Sequence, residues 1–364
     1  MPFNKVTNKL ECSYGIRCRN CAWIEQDAES QKMRKMDHVL ALFPSFKESH
    51  YMVPAYDRFR SHLDLRVEDG VLGFLGESNQ VVKLESCEIA TPELEKALQK
   101  LQKYVFPIKK GSLRLRQSPS GMTGVWLDFS HEDVHQLFQE KTLLQRLSEN
   151  FHIEIGQKRK PLTFQNDEPK LIKEWAFLPW TQTFHEDQAI PLLGTIAAFT
   201  QTGLPAQRVI ARELQKILDQ LNAEKILEFG SGLGTLTFPL AGAHREVIAF
   251  ENDLYAIKSL EATLKTQPQF APRIRVLNGD FQRSPHLTEN DYDTVMVNPP
   301  RSGLMNLAEA LPAGNNLLYM SCFLDSFARD YEVLKTKNYQ IQDLIVIDQF
   351  PHTPHLEILA TLTH

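Results

Sequence analysis

The 364-residue chain has no run approaching the roughly 18 apolar residues that a membrane-crossing helix requires. Its opening, MPFNKVTNKLECSYG, has no apolar stretch of the kind that directs secretion. Internal repeats and low-complexity segments are missing as well. Basic residues are not in excess: 40 Lys and Arg stand against 45 Asp and Glu, a net charge of −5 with His neutral. That balance excludes attachment to nucleic acid by overall charge and leaves local basic patches for such a role. Cysteine is scarce, at five, and the number is odd. The expected location is cytoplasmic, away from membranes. In a reducing compartment the thiols suit metal ligation or nucleophilic chemistry better than disulfides. The remaining composition is ordinary for a globular protein. At 42% hydrophobic and 23% charged it excludes general disorder, and the length suits about two domains at roughly 150 residues each.

The first part of the chain alternates and breaks at glycines. FRSHLDLRVEDGVLGFLG and NQVVKLESC, within 59–87, read as strands joined by tight turns. Thr91-Pro92-Glu93 opens a helical stretch with leucines at helical spacing. A second β pair, SLRLRQSPSGMTGVWLDFS, turns at Ser118–Gly121, and a helix is expected near His131–Asn150. The polar stretch GQKRKPLTFQNDEPK marks a boundary, giving domains 1–170 and 171–364. Residues 188–221 read as helix, broken near Gly203. Strands then alternate with helices: KILEF, EVIAF, RIRVLNGD, YDTVMVNPP and NLLYMS. This pattern gives an α/β, doubly wound, mostly parallel sheet with its ligands at the carboxyl ends of the strands.

Between KILEF and the next helix lies Gly230-Ser231-Gly232-Leu233-Gly234, where glycines allow a tight turn and close approach of a ligand to the backbone. Glu251 follows EVIAF directly, and a carboxylate there can accept hydrogen bonds from ribose hydroxyls. The third glycine comes one residue too early for a dinucleotide fingerprint. With Glu228 ahead of the first glycine, the loop resembles the S-adenosylmethionine loop of class I methyltransferases. Asn298-Pro299-Pro300-Arg301 follows the strand DTVMV, and its two prolines fix a loop that suits a flat substrate edge beside the methyl donor.

Cys12, Cys18 and Cys21 form C-x5-C-x2-C, with Cys87 far downstream. Such a set suits a tetrahedral zinc site or an iron–sulfur cluster, and spacing alone does not choose. Cys322 ends the NLLYMS run. Its place at a strand end makes it either a buried structural thiol or a nucleophile, and Arg301 is a candidate for lowering its pKa. Glu357 opens the apolar strand LEILATL and is either a strand-edge charge or a general base.

Together these residues resemble the RNA (uracil-5)-methyltransferase family, most of all from about residue 179 onward. Ser321-Cys322 matches its nucleophile motif. Pro351-His352-Thr353-Pro354-His355-Leu356-Glu357-Ile358-Leu359 matches its base-bearing segment. Gln182-Thr183 matches a donor-contacting Q-T, and Asn298 to Arg301 matches its N/D-P-P-R loop. The likeness is greatest to bacterial members that modify large-subunit ribosomal RNA, in the branch without an N-terminal TRAM module. It implies a class I, Rossmann-like methyltransferase domain (171–364) behind an α+β iron–sulfur and RNA-binding domain (1–170). It also implies Cys322 as nucleophile and Glu357 as base. Gln182, Gly230, Gly232, Thr235, Glu251, Asp280 and Asn298 would stand at S-adenosylmethionine, and Cys12, Cys18, Cys21 and Cys87 would hold a 4Fe–4S cluster in preference to zinc. The substrate implied is a uridine in RNA, ribosomal by preference, methylated by a monomer.

Two residues depart from the family pattern. Phe323 stands where Asn usually follows S-C, and Phe184 where Asn follows Q-T. They keep a catalytically weakened RNA-binding homologue in view, beside an amino-group methyltransferase that uses the N-P-P loop and a redox sensor built on the cysteines. Arg58, Arg60, Arg66, Lys109, Lys110, Arg114 and Arg116 are the candidate phosphate contacts. Tyr14, Trp23 and Phe59 would either stack on bases or pack around the cysteines.

Overall fold

In HLDLRVE every second residue is apolar, and in the computed structural model those residues, Leu63, Leu65 and Val67, all face one core. The structure describes residues 9–106, 108–128, 141–157, 160–165, 168–172, 177–201, 203–242, 244–279, 292–311 and 314–364. It forms two compact units. The first lies within Met1–Ala28, Tyr56–Thr181 and Leu193–Leu204, the second within Glu29–Ala55, Gln182–Leu192 and Pro205–His364. The division expected at 170 is thus an interleaved one. Helix α1 (Ala28–Leu42) and strand β1 (Tyr51–Met52) come early in the sequence but build the second unit.

The first unit is built on an eight-stranded sheet. Its strands are β2 (His62–Glu68), β3 (Val71–Leu75), β4 (Val81–Lys83), β5 (Lys110–Gln117), β6 (Thr123–Asp128), β7 (His152–Gln157), β8 (Lys160–Gln165) and β9 (Glu168–Leu171), in the order β4-β3-β2-β5-β6-β7-β8-β9. All neighbours are antiparallel except β6 and β7. Asp69-Gly70, both at positive φ, make the tight β2–β3 turn. Helix Pro92–Leu101 starts as expected: the Thr91 hydroxyl accepts the Leu94 N–H, and Leu94, Leu98 and Leu101 join the core beside Leu113 and Leu115. Of the helix expected over 131–150, residues 131–140 lie outside the described residues, and Lys141–Ser148 is helical.

The stretch 188–221 corrects the expectation of helix ahead of the break near Gly203. Strands β10 (Leu178–His185) and β11 (Gln188–Gly194) form a hairpin, and the helix runs only from Leu204 to Leu221. Glu186 and Asp187, at φ +48° and +62°, make the turn. A two-residue turn with both φ values positive is the tightest hairpin closure. Here it lacks the glycine or asparagine that would have announced it.

The second unit holds β12 (Lys225–Phe229), β13 (Glu246–Glu251), β14 (Ile274–Asn278), β15 (Thr294–Val297), β16 (Asn316–Ser321), β17 (Gln340–Ile347) and β18 (Glu357–Thr363), in the order β1-β17-β18-β16-β15-β12-β13-β14. Pairings are parallel except those of β18, which runs antiparallel between β16 and β17. This is the α/β, Rossmann-like sheet that the alternation of strands and helices led one to expect. The central strands β15 and β16 are largely apolar and buried, as expected where both faces of a sheet are covered. Val39 of α1 and Phe43 just after it lie in its core with Phe327 and Tyr319, and the rings of Phe43 and Phe327 are 5.3 Å apart. Among the described residues no helix is long and apolar enough to cross a membrane.

Gly73 offers a local test of the first sheet. A Cβ there would lie 1.8 Å from the Val82 carbonyl oxygen across the β3–β4 pair. Gly73→Ala is expected to lower stability by about 1–3 kcal/mol, read as a shifted denaturation midpoint with the donor loop of the second unit unaffected.

Candidate active site

β12 ends at Phe229, and the chain turns through Gly230, Gly232 and Gly234 at φ +75°, +56° and +92°. A Cβ on Gly230 or Gly232 would meet nothing within 4 Å, whereas one on Gly234 would strike Leu260 and Phe238. The first two glycines therefore border open space and the third serves packing. Glu251, at the end of β13, accepts the Gly232 N–H through one carboxylate oxygen (2.8 Å) and the N–H groups of Asn252 and Asp253 through the other (2.8 and 2.9 Å). Glu228 is buried, and the Thr237 hydroxyl donates to it at 2.6 Å. Burial pushes its carboxyl up to about 8, opposed by the Thr237 hydrogen bond and aided by the charge of Glu251.

Thr183 on β10 donates its hydroxyl to the Thr235 carbonyl at 2.6 Å. Gln182, its neighbour on the strand, is half-buried. Asn298 follows β15 and is half-buried. Asp280 lies outside the described residues. The loop, its open glycines and a carboxylate at the neighbouring strand end make a cradle that fits an adenosyl group.

The second cluster arises from sheet polarity. β16 ends at Ser321, and antiparallel β18 begins at Glu357 with Ser321 opposite Ile358. Cys322 and Glu357 thus stand side by side at one sheet end. Glu357 is 2% exposed, and its hydrogen-bond donor is the Gln349 side-chain amide at 2.6 Å. Burial pushes its carboxyl up to about 8. The Cys322 thiol is pushed up by burial and by the charge of Glu357, and is opposed by the charge and hydrogen bond of Arg301. Arg301, on the N-P-P-R loop, is the positive group that acts on Cys322. Asp330 secures that loop by accepting the Leu304 N–H and the Tyr319 hydroxyl, both at 2.6 Å.

The two departures from the family pattern have different environments. Phe184 is 2% exposed, with the Arg208 guanidinium 4.5 Å from its ring centre. Phe323 is 39% exposed immediately after the nucleophile candidate.

Sequence reading missed the residues that hold the segment leading into Glu357. Gln31 and Lys35 of α1, buried polar residues at helical spacing, reach the segment 348–352. Lys35 pairs with Asp348 at 2.6 Å, and Asp348 also accepts the Tyr51 hydroxyl at 2.8 Å. A polar residue four positions from another, in register with Val39 of the core, was the available signal.

In the first unit Cys12, Cys18, Cys21 and Cys87 line one cavity with Tyr14, Phe74 and Leu84. All are free thiols. Burial raises the thiols of Cys18 and Cys87 and pushes Cys21 up to about 12, with Arg60 opposing. Among the described residues, no three His, Cys, Asp or Glu side chains are gathered tightly enough to hold a metal ion. The basic candidates divide. Arg58 is paired with Glu88 and Glu95, and Arg114 with Asp64. Arg116 is 1% exposed and donates to the Ala198 carbonyl at 2.7 Å. Arg60 faces the thiols. Only Arg66, Lys109 and Lys110 of the seven are exposed. Phe59 is buried, and the Tyr14 hydroxyl accepts the Glu85 N–H at 2.7 Å, so both are structural.

Comparison with known proteins agrees with this geometry. A family model described as tRNA (uracil-5-)-methyltransferase matches residues 277–364, and a methyltransferase small-domain model matches 199–311. An uncharacterized RNA methyltransferase of Bdellovibrio bacteriovorus is 31% identical across 99% of this chain and 96% of its own length. A 23S rRNA (uracil(1939)-C(5))-methyltransferase of Nitrosospira multiformis is 25% identical, covering 98% of this chain and 84% of its own. Among solved structures, the tRNA (uracil-54, C5)-methyltransferase of Pyrococcus abyssi in complex with S-adenosyl-L-homocysteine shares the fold, with a TM-score of 0.70 and 20% identity over 98% of this chain and 88% of that one. The end-to-end relationship and the methyltransferase fold lead to one conclusion: the chain belongs to the RNA (uracil-5)-methyltransferase family and is an S-adenosylmethionine-dependent RNA methyltransferase.

Proposed function

We propose that the protein methylates C5 of a uridine in RNA through a covalent bond between Cys322 and C6. The observation that carries this reading is the juxtaposition of a thiol and a buried carboxylate at the ends of β16 and β18. Uracil C5 is a weak nucleophile. Attack of the Cys322 thiolate on C6 forms the Sγ–C6 bond and moves the C5=C6 electrons toward O4, so that C5 gains carbanion character. Arg301 supports the thiolate before attack. S-adenosylmethionine supplies an electrophilic methyl group. C5 takes that methyl, forming the C5–CH3 bond as the S–CH3 bond breaks. Glu357 then removes the C5 proton, the double bond re-forms and the thiolate leaves. Gln349 keeps the Glu357 carboxylate oriented. The target base must leave its stack to reach this site.

We favour ribosomal RNA because the Nitrosospira relative, named for a 23S rRNA position, aligns over nearly the whole chain. Transfer RNA, named for the Pyrococcus abyssi protein, is the comparison substrate. The proposed enzyme works in the cytoplasm as a monomer, with Gln182, Gly230, Gly232, Thr235, Glu251, Asp280 and Asn298 as the proposed donor site. Cys12, Cys18, Cys21 and Cys87 are the proposed ligands of a 4Fe–4S cluster that stabilises the first domain. Thiols spread around one cavity suit four irons with one sulfur each better than a single zinc about 2.3 Å from all four. Buried thiolates also require positive charge beyond that of Arg60.

Cys322→Ala is expected to keep donor binding and lose turnover, measured by transfer of labelled methyl to unmodified 23S rRNA and tRNA transcripts. Full activity in that variant rejects the mechanism, and an inert wild-type protein favours the weakened homologue. Because the base works only when ionised, the single-turnover rate should climb from pH 6 to beyond the Glu357 value of about 8. A flat profile would exclude Glu357 as base. Protein purified without oxygen should be brown and lose that colour in Cys87→Ser. A colourless protein containing zinc would replace the cluster assignment.

A further inference from the structure

One helix outside the expected catalytic segment is tied to the loop that carries the base. α1 follows the cysteine segment in sequence yet belongs to the second unit. Gln31, Lys35 and Val39 recur every four residues on its buried face. Val39 is ordinary core. Gln31 and Lys35 are only 2% and 1% exposed, and polar groups so buried require partners. Those partners include the segment between β17 and β18. Lys35 Nζ donates to Asp348 at 2.6 Å and to the Phe350 carbonyl at 3.1 Å. Gln31 Oε1 accepts the His352 backbone N–H at 2.6 Å, and Gln31 Nε2 lies 3.3 Å from His352 Nδ1.

His352 is where such support is needed. It is fully buried and sits at φ +66°, a left-handed conformation that a non-glycine residue adopts only when its surroundings enforce it. The same short loop carries Gln349, which donates to Glu357 across its two ends. We propose that Gln31, seconded by Lys35, is a positioning residue for proton removal. It holds 348–352 in the one conformation that keeps Gln349 on Glu357, and so makes α1 part of the catalytic apparatus. This inference rests on the reading of Glu357 as the base.

The test compares Gln31→Met, close in shape but unable to bond His352, with Gln31→Glu, which keeps the acceptor, and with Glu357→Gln. Each is incubated with 23S rRNA and tRNA transcripts and labelled donor. Gln31→Met should lose about tenfold or more in kcat, with KM for RNA and donor affinity unchanged. A labelled covalent protein–RNA adduct should build up on denaturing gels, because methyl transfer then outruns proton removal. Gln31→Glu should recover most of the turnover and clear the adduct. Wild-type turnover in Gln31→Met, while Glu357→Gln accumulates adduct, overturns the inference and leaves the base intact. Loss of donor affinity along with turnover, without adduct, marks Gln31 as a packing residue and also overturns it. Clearance of the adduct by Glu357→Gln removes the base assignment and the inference with it.

Discussion

Taking a carboxylate out of water without a full counter-charge is the constraint around which the second unit is organised. Glu357 is buried with the Gln349 amide as its donor, so its charged form is disfavoured until the pH passes neutrality. Two other buried acids in the same unit mark the alternatives, Asp348 with a full counter-charge and Glu228 with one neutral donor like Glu357. Asp348 has the Lys35 ammonium and the Tyr51 hydroxyl, and Glu228 has the Thr237 hydroxyl. A buried ion pair adds little net stability but strongly penalises any arrangement that separates its members. The Lys35–Asp348 pair therefore fixes where the loop lies, and Glu357 is left with a neutral donor and a raised proton affinity.

Strand polarity supplies the rest of the geometry. In a wholly parallel sheet a nucleophile at one strand end would have only other carboxyl ends beside it. Because β18 runs the other way, its first residue falls next to the last residue of β16, and two groups separated by 35 positions in sequence become neighbours. Burial raises the thiol most, the charge of Glu357 adds to it, and Arg301 offsets both.

Much of this was readable in the sequence. The strand–glycine–helix order and Glu251 after the second strand follow from residue type and spacing, the pairing of Cys322 with Glu357 was implied by the family resemblance alone, and the fold makes them neighbours. Three features were not readable. The β10–β11 hairpin was hidden because its turn uses Glu186 and Asp187 where glycine would be diagnostic. The basic face was overestimated because a strand pattern shows which side an arginine occupies but not that Arg58, Arg114 and Arg116 find carboxylates or carbonyls there. The domain boundary was misplaced because Gln31 and Lys35 look like surface residues until their partners, more than 300 positions away, are known.

The insertion of β18 between β16 and β17 also sets an order of assembly. Both flanking strands precede it in the sequence, so they must wait, unpaired along the edges that will face each other, until the last strand of the sheet arrives. Pairings across such separations form late, after loop-closure entropy has been overcome. On the ribosome the thiol of Cys322 emerges well before its partner carboxylate. A nascent chain therefore presents an exposed cysteine beside an open sheet edge, a state in which protection from aggregation matters more than catalysis.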